Sequence, residues 1–149
     1  MPDLETMRHK LPLLAVAQAQ KEITHNEALV RIDALLHPVV QAEFPVPPTL
    51  TDTDIGKCWI VAASSIGEWA TKTGQIAIWI GGGWRFCIPA EGMRVRLQSQ
   101  GNDRIWSNGV WIAPPTISNP AGGSVIDIEA RAALIALLAH LRATGHITI

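Results

Sequence analysis

Apolar residues recur at three- and four-residue steps in the first part of the chain, where Leu29, Ile32, Leu36 and Val39 fall on one face of a helix. Just ahead of them, Thr24-His25-Asn26-Glu27 has the form of a capping box: a hydroxyl for an orphan backbone amide, with a carboxylate three residues later. Pro38 restricts the residue before it and ends the predicted helix near His37. This spacing predicts an N-terminal helical segment within residues 1–43. Residues 44–55 follow as a linker, because Phe44-Pro45-Val46-Pro47-Pro48-Thr49 favours extended, semi-rigid backbone.

From residue 56 to 115 the pattern shortens to strands broken by glycine. Gln75 to Ile80, then Gly81-Gly82-Gly83, then Trp84 to Ile88 reads as a hairpin. Arg104-Ile105-Trp106, Ser107-Asn108-Gly109 and Val110-Trp111-Ile112 read as another, carrying the Asn-Gly pair that suits a type I′ turn. In each, two tryptophans stand five residues apart (Trp79 with Trp84, Trp106 with Trp111), and the two units are offset by 27 residues. This is the pattern of a duplicated hairpin, with Met93-Arg94-Val95-Arg96-Leu97 as an alternating strand between the copies. The expectation is one small antiparallel meander or barrel-like sheet. Trp79 shares a strand face with Ala77, opposite Ile78 and Ile80, so both faces are apolar. Burial or a subunit contact follows for most of the indoles.

Residues 116–123 form a second linker, rich in Pro and Gly, before a C-terminal helix expected over 124–145. Ser124 and Asp127 mark its start and Gly145 its stop. Residues 146–149 alternate like a short strand. Ile128, Leu134, Ile135, Leu137, Leu138 and Leu141 leave the helix little polar surface, and a helix apolar on nearly all sides must be buried on nearly all sides. One small sheet cannot cover it, whereas copies of the chain can. The expected arrangement places Leu134, Leu138 and Leu141 in a seam around a symmetry axis, with Ile128, Ile135 and Leu137 packed on the tryptophan sheet. On that reading Leu138→Asp yields monomer or aggregate. The fold class is α+β, in one compact domain overall.

Composition sharpens this picture. The 149 residues bury a sizeable core without staples. Charged residues make up 17% of the chain, against roughly 25% in an average soluble domain. With 48% hydrophobic residues and a mean hydropathy of +0.19, the chain is short of polar surface, which points again to a homo-oligomer. Twelve Lys and Arg against thirteen Asp and Glu leave no basic face for nucleic acid. Arg8-His9-Lys10 ahead of Leu11 to Ala17 resembles a secretory leader, but Asp3, Glu5 and Pro12 argue against one. Ala132 to Ala139 is far shorter than the ~20 residues that cross a bilayer. No membrane anchor is expected.

No catalytic constellation stands out. The histidines at 9, 25, 37, 140 and 146 are scattered, and Gly81-Gly82-Gly83 lacks the following helix and lysine of a phosphate loop. His25 beside Glu27 reads as helix-end chemistry, and Cys58 and Cys87 as small buried apolar residues. The expectation is a protein that is not an enzyme and needs no cofactor or metal. The six tryptophans offer an alternative from another class, a carbohydrate-binding module in which Trp69, Trp84 and Trp111 stack on sugar rings. Trp69, in a loop-like stretch, is the indole expected to be most exposed.

The segment Leu13 to Leu29, reading LLAVAQAQKEITHNEAL, resembles the signature of an uncharacterised domain family common in alphaproteobacterial phages, prophages and gene transfer agents. The likeness continues through Gly56 to Val61, Gly67-Glu68-Trp69-Ala70, Ile78-Trp79 to Trp84, Pro89 to Gly92, and the closing GGSVIDIEARAALIALLAHLRATG. The resemblance implies a virion structural protein of a tail fibre or a head or tail spike, made in the bacterial cytoplasm and supporting host attachment. It brings no catalytic residues with it. Expected partners are copies of the chain, as a trimer in preference to a pentamer, other virion proteins, and host surface polysaccharide. Gln18, Gln20 and Lys21 in the AQAQK block are the expected docking segment.

Overall fold

The computed structural model describes residues 4–15, 21–124 and 127–148. Helix α1 spans Lys21–Leu36 and helix α2 spans Ile128–Ala143. Between them run β1 (Val39–Val40), β2 (Glu43–Phe44), β3 (Cys58–Val61), β4 (Ile76–Trp79), β5 (Trp84–Cys87), β6 (Arg94–Leu97), β7 (Asn102–Ser107) and β8 (Val110–Ile112). The α+β class expected from the pattern is the one found. The sheet differs in detail: instead of one antiparallel meander there are two four-stranded mixed sheets, ordered β2-β3-β4-β5 and β1-β6-β7-β8. The added strands, β1 and β2, pair in parallel with β6 and β3. They arise from residues read as helix end and linker, and at two residues each they are too short to carry an alternating pattern.

The duplication extends beyond the hairpins. Each sheet is a three-stranded meander preceded by a short parallel strand, and each meander opens on a glycine pinned to the equivalent tryptophan of its own copy. Gly56 N–H donates to the Trp79 carbonyl at 2.7 Å and Trp79 N–H to Lys57 at 3.0 Å. Gly92 N–H donates to Trp106 and Trp106 N–H to Met93, both at 2.8 Å. Trp79 faces Trp84 across β4 and β5, and Trp106 faces Trp111 across β7 and β8, with centroids 5.1 and 5.2 Å apart. Such cross-strand aromatic pairs contribute about 0.5–1.5 kcal/mol beyond area burial. Asn108 and Gly109 have φ of 52° and 81°, as the type I′ turn requires.

The first copy has the longer loop between its first two strands, residues 62–75, and that loop builds a second core. One face of the β2-β3-β4-β5 sheet packs Cys58, Ile60, Ile76, Ile78 and Cys87 with Val40, Val95, Leu97 and Ala34 of α1. The other face carries Trp59, Ala77 and Trp84, and the loop folds over it to insert Trp69. The apolar character of both faces of β4 is thereby explained. Trp69, expected to be the most exposed indole, is 0% exposed. Its loop-like surroundings concealed a 3₁₀ turn, Gly67–Trp69, that turns the ring inward against Trp84, edge to face at 5.0 Å.

Gly74 ends this loop with φ +79°, and a Cβ there would lie 2.6 Å from the Trp106 ring. Its carbonyl accepts the Trp111 indole N–H at 2.9 Å, so this glycine joins the two copies. Gly74→Ala is expected to destabilise the fold by about 3 kcal/mol, from the left-handed backbone and the displaced ring together. A drop in urea midpoint with unchanged m-value checks it. An unchanged midpoint contradicts this account of the junction.

Candidate functional site

Two helices and one clasped segment carry what the β core does not use. In α1 the inward residues are Glu22, Asp33 and Ala34, with Val30 half-buried beside them. The face predicted to be buried is turned outward: Ile32 is 47% and Leu36 59% exposed. Val39 belongs to β1, beyond the helix. Among the described residues α1 runs from Lys21, so Thr24 and Glu27 lie within it and form no cap there. Glu27 instead holds Arg31 one turn on at 2.8 Å and Arg85 of β5 at 3.3 Å. An S/T-x-x-E spacing serves equally well inside a helix when an i+4 arginine takes up the carboxylate.

Asp33 decides which face points inward. Its carboxylate accepts the backbone N–H of Arg8 at 2.9 Å and of His9 at 2.7 Å, with the His9 ring at 3.1 Å. The Arg8 guanidinium in turn donates to the carbonyls of Ala34 and His37, orphan acceptors at the end of α1. Asn26 pairs with both the N–H and the carbonyl of Leu14. The N-terminal segment is thus clasped along α1, over an apolar groove lined by Leu13, Val30, Ile55, Ile78 and Trp79.

Burial alone would push the Asp33 carboxyl up. The hydrogen bonds from Arg8, His9 and Thr6 outweigh it and hold the group below its ordinary value of 3.8. A carboxyl lowered in the folded state contributes stability that is full above 3.8 and is lost as pH falls through the depressed folded value. Asp33→Ala is expected to cost about 2–4 kcal/mol at pH 7, because two backbone amides lose a charged acceptor. The gap between variant and parent should close in acid below pH 3.8. Paired urea titrations at several pH values measure it, and a gap independent of pH contradicts the clasp.

α2 starts where Asp127 caps it, its carboxylate accepting the Ala130 N–H at 2.8 Å, and Gly145 follows its end. The C-terminal end is anchored: Arg96 donates to the Thr144 carbonyl, Asp103 N–H to Gly145, and Ile147 is buried. Arg131 and Arg142 reach back to Gly122, Asn119 and Ile117, and Leu138 is half-buried on that same side. No described residue of α2 is buried. Ile128 (71%), Leu134 (50%), Ile135 (39%) and Leu137 (53%) face solvent in the protomer. The expected packing of Ile128, Ile135 and Leu137 on the tryptophan sheet is therefore corrected. The loop bearing Trp69 already covers that sheet face, and the C-terminal anchor holds the helix away from it. Of the expected seam, Leu134 is exposed and Leu138 and Leu141 are half-buried in the protomer. Leu137, 53% exposed, lies on the same side and completes a four-three-four row with Ala130, Leu134 and Leu141.

Of the three candidate stacking indoles, Trp69 and Trp84 are buried, and Trp111 is half-buried with its N–H committed to Gly74. Gln18 and Gln20 of the candidate docking segment lie outside the described residues, and Lys21 is the exposed first residue of α1. Cys58 and Cys87 are free and buried. Burial pushes the Cys58 thiol up to about 12 and raises that of Cys87, which keeps both protonated and poorly nucleophilic. Among the described residues, no helix is long and apolar enough to cross a membrane.

What the fold defines is a duplicated β-meander core flanked by two helices with uncovered apolar faces. A family model described as a protein of unknown function (DUF2793) matches residues 25–112, from within α1 to the end of β8. The chain belongs to that family. No curated protein matches it. The matched span holds both sheets and ends before α2, whose role is therefore argued from its own residues.

Proposed function

We propose that the chain is a non-enzymatic structural component of a phage-like particle, a tail-fibre or head or tail spike element that assembles with copies of itself and supports attachment to the host surface. The observation that carries this reading is α2, apolar on nearly every side and without one buried residue in the protomer. A helix of this kind gains its stability only when neighbours cover it. Leu134, Leu137 and Leu141 are the seam around the symmetry axis, in a trimer or, with wider spacing, a pentamer. The resemblance of the AQAQKEITHNEAL block to phage and gene-transfer-agent proteins supplies the particle context. Sugar contact through Trp69, Trp84 and Trp111 is the weaker reading, because two of the three rings are spent on the core.

The test is physical association. Particles released from a bacterium that carries this chain are banded by density and probed with an antibody to it. The chain is expected in the particle band in fixed stoichiometry. Its absence from purified particles contradicts the proposal.

A further inference from the structure

The geometry points to a second contact in that assembly: α2 of one copy packs parallel on the outward face of α1 in a neighbouring copy. This inference rests on the assembly reading above. α2 has two apolar sides. Leu134, Leu137 and Leu141 occupy one, and Ile128, Ala132, Ile135 and Ala139 the opposite one at four-three-four spacing, all four exposed in the protomer. A seam around an axis consumes the leucine side and leaves the Ile/Ala side bare. α1 offers the matching shape. Its outward row, His25, Ala28, Ile32 and Leu36, puts large side chains where α2 has small ones, so the two backbones can approach closely.

Charge sets the direction. Glu129, in the first turn, is the only acidic side chain within α2. The cation on the outward α1 side, Lys21, stands at its N-terminal end. Parallel packing brings Glu129 to Lys21, whereas antiparallel packing places it beside Leu36.

Size argues for a composite surface. A 16-residue helix is about 24 Å long and ~10 Å across, roughly 750 Å² of lateral surface, of which about two-thirds is uncovered in α2. That falls short of the ~800 Å² per partner of a stable interface, and a strip of α1 closes most of the difference. The partner helix belongs to another copy because α2 is held at its C-terminal end by Arg96, Asp103 and the buried Ile147. A contact between two different surfaces is heterologous and, when its rotation closes, generates a ring.

The test mixes two full-length versions carrying tags of different length, one with Ile32→Cys and one with Ala139→Cys, co-expressed and treated with a short bis-maleimide. The buried native thiols make the parent protein the blank. The expected result is a mixed-tag cross-linked dimer. That product is lost in a Glu129→Lys background and recovered when Lys21→Glu is added. Cross-links between two Ala139→Cys copies, or between two Leu137→Cys copies, without any mixed product leave self-assembly through α2 standing and overturn the α1 contact. Closure within one chain, seen when both cysteines share a chain diluted below assembly, overturns the second copy as occupant. A monomer with no intermolecular product of any kind overturns both readings.

Discussion

Leu137→Asp is expected to convert the assembled protein into a folded monomer of 16.1 kDa. Leu137 is 53% exposed in the protomer and touches neither core cluster, so a carboxylate there costs the isolated chain little. In the assembly the same group sits in an apolar seam without a partner. Burying an unpaired carboxylate there costs about 3–5 kcal/mol per copy, a weakening of roughly a hundredfold to several thousandfold in association. The two consequences separate cleanly. Near-ultraviolet circular dichroism from the tryptophan cores should be retained, and the native mass should fall. Some helicity should fall with it, because a 16-residue helix without neighbours is marginal in water. Leu138→Asp, expected to yield monomer or aggregate, is the less clean probe, because Leu138 is already half-buried in the protomer. An assembled Leu137→Asp protein contradicts the seam.

The largest effect on the fold is expected at Trp69. Its ring is fully buried among Trp59, Trp84, Val61 and Ala77, and it roofs one face of the β2-β3-β4-β5 sheet. Trp69→Ala removes the transfer energy of an indole and leaves a cavity that the flanking rings cannot fill, about 3–5 kcal/mol. Against the ~5–15 kcal/mol of an ordinary domain, that brings the chain close to unfolding at ambient temperature. Trp69→Phe should cost markedly less, about 1–2 kcal/mol, because the Trp69 indole N–H has no hydrogen-bond partner among the described residues and phenylalanine loses none. Urea titration followed by circular dichroism reads both. Equal effects of the two substitutions contradict the ring's role as a volume-filling roof.

The duplicated hairpin was legible because its signals are local. Five-residue Trp spacing, the Asn-Gly turn and alternation act within one hairpin, and Trp79 with Trp84 and Trp106 with Trp111 pair as the spacing implies. Asp127 and Gly145 are equally local: Asp127 caps α2 and Gly145 follows its end, although the helix, Ile128–Ala143, is shorter than the 124–145 expected and Ser124 lies outside it. What the pattern missed depends on distant partners. β1 and β2 exist only because β6 and β3 offer edges to them, and their two residues carry no period of their own. The orientation of α1 turns on Asp33, a residue that helical periodicity places with the polar positions. Only its contacts with Arg8 and His9, more than twenty residues earlier, make it an inward group. Trp69 misled for the same reason: Ser and Gly neighbours mark a surface loop, but the sheet beneath draws the ring in. At α2, composition signalled an apolar helix, and the helix is there with no residue buried in the protomer. That Arg131 and Arg142 reach back to Gly122 and Asn119 is something the helix's own period does not encode.

The claim on which the functional account stands is that α2 is covered by copies of the chain. Light scattering behind a sizing column, at micromolar and then nanomolar concentration, measures this directly. The account predicts a mass three or five times 16.1 kDa that survives dilution. A mass of 16.1 kDa at both concentrations would contradict it.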